Sequence, residues 1–347
     1  MLTGAGIIDR IAVLALQAGS TLTRPFGHRG YGLGCEAVSA AVSAQDITVR
    51  LNPDALFAMP LADGYWSRLL NSRYDYEEEI EAFLKSIADV RYVFVDCGAN
   101  FGYWPVLASS KPFGAQTALA IEASPKNAER LELNARLNGN RFPCLNAAVG
   151  RTSGGYARIT GHKHEAFGTV LLADREDNAV RTVSLDSLVS EGLIDPAQPI
   201  VVKLDVEGVE VDAIRGGTRL LSGNTIFICE EHGSDRDHIV SQYLMSATPL
   251  RVYIFDPEVS RFVRVNDVAF SGSHQAVHLG RLQRVRHLQP GLGRSNYRNQ
   301  MATKMKAHSV TFRPARIRHG RDGRRRCPRP ITREFIEADQ PANPLSD

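Results

Sequence analysis

From Tyr92 onward, short apolar runs alternate with amphipathic stretches. Tyr92-Val-Phe-Val-Asp96 is an unbroken apolar run that ends in a carboxylate. A glycine-bearing turn follows and leads into a helix over 98–109. Strand 117–122 and helix 125–137 come next, with Pro125 at the first helical position, where a missing N–H costs nothing. The same reading gives strands over 144–149, 200–205, 225–230, 251–255 and 262–265, and helices over 209–221 and 235–247. Residues 154–183 read as a β-rich excursion. The first strands are uniformly apolar, which is the pattern of a parallel sheet covered by helices on both faces. The spacing predicts one doubly wound α/β domain over 90–304.

Residues 1–89 read as an N-terminal extension made of a helix, short strands and a helix. In the first helix Ile7, Ile8, Ile11, Leu14 and Ala15 share a face, so that face is expected to pack or to contact a partner. Residues 23–35 are Gly-rich, carry Pro25, and read as a loop. Residues 47–51 alternate like a strand. Over 76–87 the acids cluster in the first turns, where they complement the helix dipole, and Ile80, Phe83, Leu84 and Ile87 line one side. Past Ala302 periodicity is lost, and residues 305–347 are expected to be a disordered tail.

Composition narrows the class. Of 347 residues, 43% are apolar and 23% charged, which excludes wholesale disorder. Cys35, Cys97, Cys144, Cys229 and Cys327 show no Cys-x-x-Cys spacing, which argues against a disulfide framework or a zinc site. Reduced thiols point to a cytoplasmic protein. No apolar run reaches the roughly 18 residues of a membrane span. The net charge of +3 hides an asymmetry. Between Arg281 and Arg333, 14 Arg and 2 Lys face one acid, Asp322, so this stretch carries +15 and the remainder −12. Such an acidic body would repel a phosphate backbone. The Arg-rich stretch nevertheless keeps open an alternative, a nucleic-acid-binding or RNA-modifying protein anchored by its tail.

In an open parallel sheet, ligands bind beyond the C-terminal ends of the strands. The polar residues there are Asp96, Gly98, Asn100 and Gly102; Glu122; Asn146 and Ala147; Lys203, Asp205, Glu207 and Gly208; and Glu230 and His232. The turn at 98–102 is G-x-x-x-G, not the G-x-G-x-x-G that cradles a pyrophosphate, which disfavours a dehydrogenase. Asp96 would repel a phosphate but suits a cation. Glu122, at the end of the second strand, suits a ribose diol. Ribose joined to a cationic, phosphate-free group points to S-adenosylmethionine.

The segments VDCGANFG (95–102), IEASP (121–125), NAAVG (146–150), SLDSL (184–188), KLDVEGVE (203–210) and the E-x-H-G of 230–233 resemble, in that order, the FkbM family of S-adenosylmethionine-dependent methyltransferases. The resemblance implies a Rossmann-like class I methyltransferase sheet, mostly parallel with a reversed last strand. It also implies methyl transfer to a hydroxyl of a sugar, glycan or secondary metabolite. Carried over residue by residue, Asp96, Gly98, Asn100 and Gly102 line the methionine end of the cofactor. Glu122 holds the ribose, and Asn146 and Ala147 sit beside the adenine. Asp205 and Glu207 border the transferring methyl. A hydroxyl is a poor nucleophile until its proton begins to leave, so a base is needed. Asp205, Glu207, Glu230 and His232 are the candidates. Lys203 is expected to pair with neighbouring carboxylates, and no spacing in the chain demands a metal.

Overall fold

The computed structural model describes residues 7–42, 46–71, 74, 76–161, 168–172, 174–231, 238–256, 261–265 and 307–312. Helices α1 (Ile7–Thr23) and α2 (Tyr31–Ala41) come first, followed by an antiparallel hairpin of β1 (Asp46–Asn52) and β2 (Ala55–Pro60). A 3-10 turn at Trp66–Leu70 and helix α3 (Glu78–Ser86) complete the extension. The alternating region runs β3 (Val93–Cys97), α4 (Tyr103–Ala108), β4 (Thr117–Glu122), α5 (Pro125–Leu137) and β5 (Cys144–Asn146). A smaller sheet follows, made of β6 (Ala148–Val149), β7 (Tyr156–Thr160), β8 (Gly168–Leu172) and β9 (Val180–Val183). The chain then returns through α6 (Leu185–Ser190), β10 (Ile200–Leu204), α7 (Glu210–Arg215), α8 (Thr218–Leu221), β11 (Thr225–Glu231) and α9 (Ile239–Ala247). It closes with β12 (Arg251–Asp256), β13 (Arg261–Arg264) and β14 (Ala307–Phe312).

Among the described residues the main sheet has eight strands in the order β13-β12-β14-β11-β10-β3-β4-β5. Strands β5, β4, β3, β10 and β11 are mutually parallel, and β14 runs antiparallel to both β11 and β12. The sheet is therefore the Rossmann-like methyltransferase type, doubly wound and with a reversed last strand. Its central strands are buried on both faces. Phe94, Val95, Val202, Phe227 and Ile228 are all 0% exposed. One apolar cluster joins one face of the sheet to the extension through Phe57, Trp66, Phe83 and Leu84, and the other packs under α6, α7 and α9.

Four features differ from the sequence reading. The domain boundary expected at 304/305 falls one strand short, because residues 307–312 pair on both sides inside the sheet. Their alternation was masked by the arginines that follow; the rest of the tail lies outside the described residues. Residues 31–35, read as the end of a loop, instead open helix α2. Tyr31 and Cys35 bury against Ser67, and that packing outweighs the glycines. In α1 the buried face is Ala12, Val13, Leu16 and Ser20, while Ile8, Ile11 and Leu14 are more than half exposed. The helix expected over 209–221 is two, separated at Gly216 and Gly217, where a Cβ on Gly216 would strike the Gly150 carbonyl.

Candidate functional site

Parallel strands end together, so the polar residues that follow them gather on one rim. There they line a cleft of about 810 Å³, counting its open mouth. Asp96, Gly98, Asn100, Glu122, Ala147, Asp205 and Glu207 all line it, as does Lys203. Gly102, Asn146 and Glu230 do not line the cleft, and His232 lies outside the described residues.

The glycines serve the protein's own packing. Gly98 has φ +84°, and a Cβ there would overlap the Asp205 carbonyl; Gly102 has φ +87°, and its Cβ would strike Leu131. The first close approach locks the 98–102 turn to the loop after β10. The Asp205 N–H donates to the Cys97 carbonyl at 3.0 Å and reinforces the same junction. The second lets α5 lie against the turn.

Glu122 organises its surroundings. Its Oε2 accepts the Asn100 N–H and its Oε1 the Ser124 N–H, each at 2.7 Å. Asn146 works from behind: its side-chain amide donates to the carbonyls of Glu122 and Ala123 at 2.8 and 3.1 Å. The strand expected over 144–149 breaks at Ala147, between β5 of the main sheet and β6 of the smaller one, and Ala147 at the break lines the cleft.

Glu210 is buried and accepts the N–H groups of Val206 and Gly208, so it holds the Asp205–Gly208 loop. Glu207 sits in that loop with φ +56°. Asn100 and Glu77 share this left-handed geometry, at φ +51° and +49°. Three non-glycine residues with positive φ thus meet at one site, a concentration of backbone strain of the kind found at functional centres.

The electrostatics are dominated by carboxylates. Lys203 is buried and its ammonium lies 2.9 Å from Asp205 Oδ2, as the expected pairing requires. Burial alone would push that ammonium down, but the charges of Asp205, Glu77, Asp96 and Glu230 more than offset it and hold it well above the ordinary lysine value. Asp96 is pushed up to about 7, chiefly by burial; Lys203 opposes the shift, and Asp205, Glu77 and Glu122 add to it. Glu122 is also raised by burial to about 7, against the pull of its backbone hydrogen bonds. Asp96 is 1% exposed, and its Oδ1 has no hydrogen-bond partner among the described residues. The carboxylates of Glu77, Asp205 and Glu230 have oxygens within 4.8 Å of one another, a spacing that would hold a cation, and Lys203 already supplies one beside them.

The far wall of the cleft comes from residues the sequence reading did not single out. Tyr65, Trp66 and Tyr76 of the extension line it together with Tyr103 and Trp104. The Trp66 indole donates to the Asn100 side chain at 3.3 Å, and the Trp104 indole donates to Glu77. One sequence signal marked this wall: both tryptophans of a chain that is only 7% aromatic belong to it.

Comparison with known proteins bears on the sheet side of this cleft. Residues 96–255 match the methyltransferase FkbM domain. A stretch of 172 residues is 28% identical to the hexuronic acid methyltransferase AglP of Haloferax volcanii, covering 49% of this chain and 69% of that protein. Among solved structures, the methyltransferase FkbM from Methylobacillus flagellatus aligns with a TM-score of 0.36 at 16% identity, over 71% of this chain and 54% of that one. The chain thus spans about half the length of that structure. A precorrin-6y C5,15-methyltransferase from Geobacter metallireducens aligns with a TM-score of 0.35 at 12% identity, over 70% of this chain and 92% of that one.

Proposed function

We propose that this chain, whose residues 96–255 match the methyltransferase FkbM domain, moves a methyl group from S-adenosylmethionine to a hydroxyl oxygen of a sugar, a glycan or a secondary metabolite. The observation that carries the cofactor reading is Asp96: a carboxylate at a strand end, lining the cleft, with a buried oxygen that has no partner among the described residues. A buried acceptor of this kind is costly unless a donor arrives, and the ammonium of the cofactor's amino-acid end is such a donor. Glu122 stands one strand over. Each of its oxygens accepts one backbone N–H, and a carboxylate has capacity for about four hydrogen bonds, so both can also accept a ribose hydroxyl. Ala147, Ala148 and Val149 give the adenine an apolar seat, with Asn146 bracing the backbone beneath it.

Bound S-adenosylmethionine supplies an electrophilic methyl on a cationic sulfur. The protein aligns the acceptor, keeps water away and takes the hydroxyl proton. Asp205 and Glu207 line the cleft beyond Asp96 and are placed to receive that proton, with Lys203 orienting Asp205. Glu230 stands within 4.8 Å of Asp205 as a reserve acceptor, and His232 follows it in the chain. A sugar acceptor accords with the relative named a hexuronic acid methyltransferase. We place the protein in the cytoplasm on the scattered spacing of its five cysteines, which fits no disulfide framework.

Calorimetry with S-adenosylmethionine, its demethylated product and NAD tests the reading. The first two bind and NAD does not. Glu122→Gln weakens binding by roughly tenfold, the loss of one charge-assisted hydrogen bond. Binding of NAD in place of the methyl donor refutes the assignment.

A further inference from the structure

Helix α1 is apolar on two sides. Its inner side is occupied: Ala12, Val13, Leu16 and Ser20 are buried, and Gln17 Nε2 donates to the Leu70 carbonyl at 3.1 Å. A Cβ on Gly19 would stand 3.5 Å from the Tyr31 ring of α2. These contacts fasten α1 to the turn that carries Trp66, so the helix is a fixed part of the extension. Its outer side holds Ile8, Ile11, Leu14, Ala15, Ala18 and Leu22, all exposed, the four large ones by 60% to 73%. At about 3.6 residues per turn, these six positions fall in a sector of roughly 120° that contains no polar residue. Phe26, just past the helix, and Leu33 on α2 are exposed to the same degree. Six of the ten large apolar side chains exposed among the described residues therefore stand between Ile8 and Leu33, whereas Leu137, Val170, Leu193 and Ile239 are scattered singly. Single apolar residues are ordinary on a surface; a concentration of them marks a contact.

We infer that the outer face of α1 is the contact surface between two copies of this chain, with the two helices antiparallel about a two-fold axis between Leu14 and Ala15. The inference does not depend on the methyl-transfer reading. A two-fold contact must be complementary to itself. In this register Ile11 lies over the partner's Ala18 and Leu14 over the partner's Ala15, so each large side chain meets a small one, and Ile8 reaches the partner's Leu22 at the ends. The charges permit the same register. The two Arg10 side chains, at the edge of the stripe, stand roughly 14 Å apart along the helices, beyond the ~10 Å over which exposed charges act in salt. The exposed apolar side chains from Ile8 to Leu33 offer on the order of 800 Å², the area each partner gives to a standard interface. A lipid surface fits less well. An interfacial helix carries lysine and arginine along its polar face, and α1 has Arg10 alone, next to Asp9.

The test is sedimentation of the full chain over a concentration series, without ligand. The expected result is the mass of two chains at tens of micromolar, falling to that of one chain on dilution. Ile11→Lys and Ala18→Glu each weaken association by roughly a hundredfold, because each sets a charge against an apolar side chain. The two substitutions together in one chain restore the Kd to within tenfold, because the register sets each new cation over the partner's new anion. Within one helix the two positions are two turns apart, so the rescue reports a contact between chains. Circular dichroism checks that the variants are folded. On the unaltered chain, amide hydrogen exchange over 7–23 slows as concentration rises, and this reads the contact without any variant. A chain that stays single at every concentration overturns the inference. So does a dimer indifferent to both single substitutions, or a double variant that stays apart. A single chain that co-sediments with vesicles of phosphatidylcholine and phosphatidylserine, and loses this with Ile11→Lys, assigns the face to a membrane and overturns it too.

Discussion

The two sides of the cleft are built on different principles. On the sheet side every functional group sits at or just past the end of a strand: Asp96 is the penultimate residue of β3, Glu122 ends β4, and Asp205 and Glu207 follow β10. Their positions are fixed by backbone register, with Asp96 opposite Lys203 and Ala120 on its two neighbouring strands. On the extension side nothing is periodic. Trp66 sits in a 3-10 turn, Tyr76 and Glu77 precede α3, and tertiary contacts alone hold them: Trp66 to Asn100, Glu77 to Trp104, and Tyr76 to Tyr103. A sheet offers a rigid rim of charges for a constant cofactor. A folded-over segment offers a wall that can change without disturbing that rim.

The largest break in this comparison comes from attacking the sheet where its last strand is remote in sequence. Strand β14 sits between β11 and β12, with five register pairs to one and four to the other. A chain ending after Lys306 loses this strand and leaves the facing edges of β11 and β12 without a partner inside the sheet. Against a typical total stability of about 5–15 kcal/mol, that loss is expected to abolish cooperative unfolding. A chain ending after Phe312 keeps it. Thermal denaturation of the two truncates decides the matter, and equal melting curves would mean that the strand contributes nothing to the fold.

How far each side could be read from sequence follows the same division. The strands at 93–97, 117–122, 200–204 and 225–231 are largely apolar and carry an acid at or beside their C-terminal ends, so local pattern alone located the rim and most of its charges. Residues whose side chains work behind the rim carried no such mark. Asn146 braces a backbone and Glu210 staples a loop, and either role depends on what lies across the fold. The resemblance to the FkbM family placed the motifs, and none of those motifs holds Tyr65, Trp66 or Tyr76. β14 was hidden because Ala307-His-Ser-Val-Thr-Phe312 is short and stands next to an Arg-rich run that dominates any composition window.

On the rim, the next largest effect belongs to the acids beside the transferring methyl. Asp205→Asn and Glu207→Gln keep size and remove charge. If either carboxylate takes the acceptor proton, kcat falls by roughly 10²–10⁴-fold while cofactor affinity stays within a few-fold. Single-turnover methyl transfer measured beside calorimetry separates the two quantities. Normal turnover in both variants would move the base to Glu230 or His232.

Protonation gives a subtler handle on the same side. Asp96 and Glu122 are both held at about 7 in the folded chain, above the ordinary carboxylate range near 4. Between about pH 4 and 7 the folded state keeps protons that the unfolded state has released. The stability of the ligand-free protein should therefore fall as pH rises through that window. Binding of a cationic ligand has the opposite dependence, because it favours the ionised acids. Affinity should rise about tenfold between pH 6 and pH 8 for each proton expelled. Calorimetry in two buffers of different ionisation enthalpy counts those protons directly. A flat pH dependence would remove both acids from the cofactor site.

The smallest expected effect tests whether the two walls communicate. Trp66 is 2% exposed, and its indole N–H reaches the Asn100 side chain at 3.3 Å. Asn100 in turn gives its backbone N–H to Glu122 at 2.7 Å while holding a left-handed conformation, φ +51°. The chain of contacts thus runs from the extension, through a strained residue, to the carboxylate assigned to the ribose. Trp66→Phe keeps an aromatic ring against Phe57 and Phe101 but removes the donor. Loss of one neutral hydrogen bond is worth about 0.5–1.5 kcal/mol, which corresponds to a fall in cofactor affinity of roughly two- to tenfold. The smaller ring also leaves space in a packed cluster, so a lower melting temperature is expected whatever the binding result. Affinity and melting temperature must therefore be measured together. Weaker binding with a modest thermal loss means that the extension tunes the cofactor end through Asn100. Unchanged binding with the same thermal loss means that the sheet fixes the cofactor alone.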